Sequence, residues 1–351
     1  MNIQGLILID VDAAALNNAG KNTTSNFDNA VKTKTIYKNG NCYVYVSGQA
    51  WRNWWRGSLQ KNLGWNLSPV TREDKIAFTN ADPIQYPDDD VFGYMRAASE
   101  IVKDAKGTEK KENITVTRVS PLKNSVLISA SAVRPVENWS SMARQEGDSV
   151  PYAKQEYSAV MKGMFSLDLD MVGTFSNYNK TGFKNLSDQL KKEALEMEGT
   201  EEIPDPFIEK QTLVRLPKET RIQRATDTIK ALKNISGGAM QTNNMADVTP
   251  KFIILATTKT GNHPFSHVVK CTGDRDETAE LNIKGLKEII EDYKADFKGK
   301  IFIGKRSGFF DDFNAELKAL AEDEKLKDMI SFGPVNKMID EYIEQLEKQM
   351  K

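Results

Sequence analysis

The run "IQGLILIDV" at residues 3–11 constrains the fold more than any other stretch of the chain. It is short, apolar and rich in β-branched residues, which suits a central strand. A central strand needs neighbours, and similar runs recur. "NCYVYV" (41–46) is strand-like, "KFIILATT" (251–258) is the clearest strand of the second half, and "KIFIGK" (300–305) follows in the tail. The segment "YSAVMKGMFSLDLDMVGTFS" alternates across Met164 to Met171, as a long strand does. Between the first two runs, "ALNNAGKNTTSNFDNA" reads as a polar loop.

Helical signals fall between these runs. Ser47 stands where an N-cap belongs, Gly64 can close the far end, and "SGQAWRNWWRGSLQ" lies between them. A second helix is expected from Lys218 to Asn234, ending at the flexible turn "SGGAMQTNNMAD". "LSDQLKKEALEMEG", "ELNIKGLKEIIEDYKADF" and "MIDEYIEQLEKQMK" are further helical pieces.

Two segments interrupt this regularity. Residues 66–155 lose their periodicity, with "DDDVFGYMRAASEIV" as a capped helix, "TEKKEN" as a solvated turn and "RVSPLKNSVLISASAVRP" as a strand pair. Residues 177–217 are charged and broken by Pro204 and Pro206. The core order is therefore strand, helix, insertion, strand, insertion, helix, strand. That order predicts an α+β fold compatible with a ferredoxin-like βαββαβ core. No tandem repeat or long low-complexity tract is present.

A chain of 351 residues buries a sizeable core without covalent staples. Two cysteines, Cys42 and Cys271, are too few for a disulfide framework. No secretory signal opens the sequence and no apolar run is long enough to span a membrane, so a cytoplasmic, non-membrane protein is expected. The 48 basic and 49 acidic residues balance, which gives no global nucleic-acid signal. Locally the balance breaks: Gly40 to Arg72 contains Arg52, Arg56, Lys61 and Arg72 and no acid, whereas Asp274 to Lys351 holds 19 acids against 14 bases. One region can face an anion and another a basic neighbour.

On a helix starting at Gly48, Trp51, Trp54, Trp55 and Leu59 share one apolar sector, with Arg52, Arg56 and Gln60 on its polar flank. The indoles are expected in the core, where burial stabilises most. Two guanidinium groups at i and i+4 repel unless an anion lies between them, which a phosphate supplies; solvated arginines with nearby acids are the alternative. The turn at Gly237 and Gly238 lets backbone amides approach a ligand, although it lacks the lysine and spacing of a P-loop. His263, His267 and Cys271 have metal-like spacing, but Pro264 disfavours a helix and no second cluster exists, so no metal or cofactor is expected. Asp88, Asp89 and Asp90 read as a solvated turn capping the next helix rather than a metal site. Asp10 and Asp12, closing the first strand, are the best-placed acids for a metal-dependent hydrolase, with loop capping as the preferred reading.

Several stretches then combine in one order: "GLILIDVDAAALNNAG", "VSGQAWRNWWRGSL", "DDDVFGYM", "TRVSPLKNSVLISASAVRP", and "ISGGA" before "KFIILATT" and "GNHPF". Over about residues 3–270 this set resembles the DevR-type backbone subunit of the type I-B CRISPR effector complex, Cascade, within the repeat-associated mysterious protein (RAMP) superfamily. The resemblance implies a modified RRM-like palm built from residues 1–65, 156–176 and 218–351, a finger-like insertion at 66–155 and a thumb-like one at 177–217. It also implies a subunit that polymerises along CRISPR RNA, grips the guide backbone without sequence preference and presents guide bases to target DNA in antiviral defence.

Expected partners are CRISPR RNA, target DNA, further copies in a helical filament, and the large, small and guide-end capping Cascade subunits. In similar proteins the guide backbone meets the loop after the first strand, the start of the first helix and the glycine-rich turn. Here those are Asn17 and Asn18; Ser47, Gly48, Gln49, Arg52 and Arg56; and Gly237, Gly238, Met240 and Gln241. Arginine forks and backbone amides recognise phosphates without reading bases. Arg118, Lys123 and Arg134 are candidate contacts to guide or target strand, and Phe207 and Leu213 are candidate wedges between bases. No enzymatic activity is expected. The competing expectations are a metal-dependent endoribonuclease of the same superfamily using Asp10 or Asp12, and a stand-alone single-stranded RNA chaperone.

Overall fold

The computed structural model describes the chain except for residues 27, 74–75, 98, 104–108, 114, 143–145, 147, 181–182, 272–277 and 351. The first strand, Asn2–Ala14, lies inside a large sheet. It runs antiparallel to Val150–Asp168 on one edge and to Phe252–Thr258 on the other, with Ile7 opposite both Gly163 and Ile253. Beyond Val150–Asp168 come Leu122–Asn124 and Leu127–Ser129, then Asn41–Val46 and Thr35–Lys38. Beyond Phe252–Thr258 come Ile301–Lys305, antiparallel, and Ile330–Gly333, parallel to its neighbour.

The described helices are α1 (Gly48–Leu63), α2 (Pro87–Phe92), α3 (Asp188–Glu196), α4 (Lys218–Lys230), α5 (Gln241–Asn244), α6 (Ile283–Asp292), α7 (Asn314–Glu322) and α8 (Val335–Met350). They explain why the first strand is apolar on both faces. Ile3, Ile7, Ile9 and Val11 pack with α1, α4 and α8, while Leu6 and Leu8 pack with α6 and α7. Successive side chains of a strand point to opposite faces, so a sheet covered on both sides needs this continuous pattern. The chain is thus a mixed α+β fold. None of its described helices is long and apolar enough to cross a membrane.

The tryptophans of α1 fill the core as expected. Trp51 and Trp55 are fully buried and their rings lie 5.4 Å apart, with Phe165 edge-on to Trp55 at 5.0 Å. Their indole N–H groups donate to Ser125 O and Thr228 O, both at 2.7 Å, which removes the penalty of burying them. Ser47 caps the helix by accepting from Ala50 N, and Gly64 ends it at φ 71°.

Elsewhere the elements differ from expectation. The polar loop after the first strand contains two short strands, Asn18–Lys21 and Ala30–Thr33, paired with each other. The long strand begins at Val150, inside the stretch read as insertion, because Val136–Met142 pairs with its exposed start. The two strands of "RVSPLKNSVLISASAVRP" each pair with that long strand. "TEKKEN" is no turn, since Glu109–Asn113 is a strand against Ser99–Lys103. The helix opening at "DDD" stops at Phe92, because Gly93 turns to φ 74° and a Cβ there would meet Arg118 O at 2.5 Å. Residues 174–215 carry a three-stranded sheet and α3 around a small core of Phe175, Leu186, Ala194, Val214 and Leu216.

Candidate nucleic-acid interface

Three segments distant in sequence meet at one place. Asn17 Oδ1 accepts from Ser47 N at 2.9 Å, which joins the loop after the first strand to the start of α1. Leu16 O accepts from Ala239 N at 2.9 Å, which joins the same loop to the glycine-rich turn. That turn also lies flat on α1: a Cβ on Gly237 would fall 2.3 Å from the Trp54 ring, and one on Gly238 2.7 Å from Leu16 Cδ2. Gly238 has φ +110° and Met240 the left-handed φ of 58°, so the chain makes a tight bend here that suits glycine. Gln241 Nε2 donates to Gly237 O and closes it. Asn17, Ser47, Gly48, Gly237, Gly238, Met240 and Gln241 therefore belong to one cluster, with Asn18 and Gln49 exposed beside it.

Sequence reading missed three members of this cluster, Asn244, Lys154 and Glu156. Asn244 donates to Ala13 O and, at 2.8 Å, to Glu156 Oε1, while Lys154 Nζ reaches Asn244 Oδ1 at 3.0 Å. Lys154 and Glu156 both lie near the start of the long strand; the loss of periodicity places Lys154 in the insertion, whereas Glu156 opens the expected palm strand. The pairing of Ala14 with Tyr157 in the first-strand register brings them to the site.

The arginines occupy different surroundings from those expected. Arg52 is half-buried, and its two terminal nitrogens donate to Leu122 O (2.6 Å), Asn124 Oδ1 (2.9 Å), Phe92 O (2.9 Å) and Ser120 Oγ (2.9 Å). Burial, and secondarily Arg56, push its pKa down to about 10. The fork is filled by protein acceptors, which corrects its assignment as an open phosphate clamp. Arg56 pairs with Asp88 Oδ2 at 2.5 Å, so an internal carboxylate supplies the anion that the arginine spacing demands.

Arg118 is 2 % exposed and donates to Asp90, Met171 O and Thr174 O, with its guanidinium 4.3 Å from the Phe175 ring centroid. Its placement as a nucleic-acid contact is corrected, because a buried and fully engaged fork reaches no strand. Asp88, Asp89 and Asp90 are likewise buried rather than solvated. Asp90 alone holds Arg118, Arg224 and the Gly173 amide.

The remaining candidates stand apart from the cluster. Lys123 is exposed on Leu122–Asn124, and Arg134 is exposed beside a pocket near Tyr37. Phe207 is 85 % exposed, with Lys180 Nζ 5.5 Å from its ring centroid, whereas Leu213 is half-buried in a strand. Asp10 and Asp12 are exposed at the end of the first strand. His263 Nε2 lies 2.9 Å from Gly5 O, and burial lowers its pKa. Among the described residues, no group of three or more His, Cys, Asp or Glu side chains is placed to hold a metal ion.

Comparison with solved structures gives two similar folds. One, described as a CRISPR RNA-guided surveillance complex, matches at a TM-score of 0.51 and 10 % identity over 98 % of this chain and 99 % of that one. The other, described as a CRISPR RNA-guided surveillance complex in a pre-nicking state, matches at 0.53 and 11 % identity over 99 % of this chain and all of that one, 100 %. Comparison with curated proteins gave no match. Residues 7–279 match the family described as CRISPR-associated negative auto-regulator DevR/Csa2, a span that contains every member of the cluster. The chain belongs to the DevR/Csa2 family of CRISPR-associated proteins.

Proposed function

We propose that this chain is a non-catalytic backbone subunit of a type I-B Cascade complex, which polymerises along CRISPR RNA and presents guide bases to target DNA. The observation that carries the proposal is the meeting of Asn17, Ser47 and the Gly237–Gly238 turn. The Ser47 and Gly237–Gly238 segments offer backbone amides, at a helix start and at a glycine turn. A helix start leaves its first amides without intrahelical acceptors, and Ser47 Oγ takes only that of Ala50. The amides of Gly48 and Gln49 serve a phosphate, aided by the helix dipole. A turn built from glycines adds amides at close range without side-chain obstruction. Recognition of this kind is indifferent to sequence, as a carrier of varied guides requires.

The antiparallel order of Phe252–Thr258, Asn2–Ala14, Val150–Asp168 and Leu127–Ser129, with α1 and α4 on one face, supports an RRM-like palm. The exposed Phe207 supports a wedge in the thumb-like segment. Large, small and guide-end capping subunits complete the proposed assembly. Asp10 and Asp12 are exposed next to the cluster, which keeps an endoribonuclease as the second reading.

Purification of the full chain from cells expressing a CRISPR array tests both. The backbone role predicts co-purified RNA of one discrete length, with one protein copy per few nucleotides. RNA of mixed lengths would instead indicate a chaperone. Target-RNA cleavage that disappears on Asp10→Ala or Asp12→Ala would establish the nuclease and refute the non-catalytic role.

A further inference from the structure

A pocket of 610 Å³ lies beside the Asn18–Lys21 and Ala30–Thr33 hairpin, within the range of small-ligand sites. Lys32, Tyr37 and Arg134 line it, together with Thr33, Cys42 and Gln155. Tyr37 is 70 % exposed, so its ring is open to a ligand. Lys32 and Arg134 are both exposed, and neither forms an ion pair with a described residue. Among the described residues no carboxylate lines the pocket. Glu137, tied to the pocket residue Asn22, accepts from Asn22 Nδ2 (2.6 Å) and Ser25 Oγ (2.8 Å).

The strand register sets the spacing. Tyr37 lies opposite Cys42, and Cys42 O accepts from Val133 N at 2.8 Å, one residue before Arg134. Tyr37 and the Arg134 segment thus flank Cys42 at two strand spacings, about 10 Å. An exposed ring that shares a pocket with two cations suits a base stacked on the ring with its phosphates held by the cations. It suits an acidic peptide less well, since carboxylates gain nothing from the ring face. The pocket is also continuous with the cluster described above: Thr33 pairs with Asn18, and Lys34 N donates to Asn17 O at 3.2 Å.

We infer that Lys32, Tyr37 and Arg134 form a second contact for single-stranded nucleic acid, separate from the Asn17, Ser47 and Gly238 cluster. The inference rests on the proposed nucleic-acid role. Guide RNA and a target DNA strand share the required chemistry, so the test uses both.

The purified full chain is titrated with fluorescent RNA and DNA oligonucleotides of one sequence over a range of salt concentrations, with the melting temperature of every variant checked. Tyr37→Ala is expected to weaken binding at least about fivefold with the salt slope unchanged, and Tyr37→Phe to retain it. Lys32→Ala combined with Arg134→Ala is expected to reduce the salt slope by about 1.4, the value for two phosphate contacts on a single strand. Effects on RNA alone assign the pocket to the guide, and effects on DNA alone to the target strand. If both sets of substitutions leave affinity and slope at wild-type values while Gly238→Ala weakens binding, the pocket is no contact and the proposed function stands. If the wild-type chain binds neither oligonucleotide, both fail.

Discussion

Asp90 Oδ1 and Arg118 Nη2 form a fully buried ion pair, 2.5 Å apart, at a junction of four segments distant in sequence. The other carboxylate oxygen takes Arg224 Nη1 of α4 at 2.7 Å and the Gly173 amide at 2.9 Å. Arg224 in turn donates to Pro83 O and Ile84 O. One carboxylate thus fastens α2 to α4 and to the loop after the long strand. Removing it leaves two buried guanidinium groups without a counter-charge. Asp90→Ala is expected to cost about 3–5 kcal/mol, seen as a lower denaturation midpoint at an unchanged slope.

Arg52 is predicted to act through stability. Its four hydrogen bonds tie α1 to Phe92, Ser120, Leu122 and Asn124. Arg52→Ala deletes the charged donor and its bonds to the Phe92 carbonyl and Asn124, which costs about 2–3 kcal/mol, while Leu122 O keeps the Ser120 hydroxyl. Because the fork points into the protein, the salt slope of RNA binding should equal that of wild type. A slope that falls by about 0.7 in a variant of undiminished stability would return Arg52 to the interface.

These two arginine environments show where sequence patterns lose their reach. The strands Asn2–Ala14, Asn41–Val46, Phe252–Thr258 and Ile301–Lys305 were legible because each carries its own apolar pattern, and α1 because its caps and indoles are local signals. The start of the long strand was not, since its neighbours there are exposed strands that impose little periodicity. The Ser47 cap and the Gly237–Gly238 turn were legible because cap and turn chemistry is written in single residues, whereas Asn17 was singled out only by the family resemblance. The fate of a charge is different. Arg52, Arg118 and Asp90 look like surface residues until the fold delivers partners 28 to 134 positions away.

Asp89 should give the chain a pH-dependent weakness. Burial raises its pKa, and Asp88 adds to the shift, against the hydrogen bond from the Asp82 amide. A carboxyl with a raised folded-state pKa contributes stability that is fully present below its unfolded pKa and is lost as pH rises through the folded value. At neutral pH the charged form is therefore a liability. Asp89→Asn keeps an acceptor for the Asp82 amide, 3.0 Å away, and removes the charge. Its melting temperature at pH 7 is expected to exceed wild type by at least about 2 °C, and the gap should close as pH falls into the carboxylate range. A gap independent of pH would refute this account.

Gly238→Ala should damage the proposed guide site more than the fold. At φ +110° an alanine is strained, and its Cβ would lie 2.7 Å from Leu16 Cδ2 and 2.9 Å from Gln241 Nε2. The turn must then move away from Leu16, breaking the bond from Ala239 N to Leu16 O. Leu16 adjoins Asn17, which holds the Ser47 amide, so the displacement reaches the start of α1. The expected stability loss is about 1–2 kcal/mol, while RNA affinity falls at least about tenfold. Gly57→Ala is the matched control, because Gly57 lies within α1 with nothing within 4 Å of an added Cβ. It should stabilise the helix by about 0.5–1 kcal/mol and leave RNA affinity unchanged. Equal affinities for the two variants, measured side by side by fluorescence anisotropy, would remove the glycine turn from the interface.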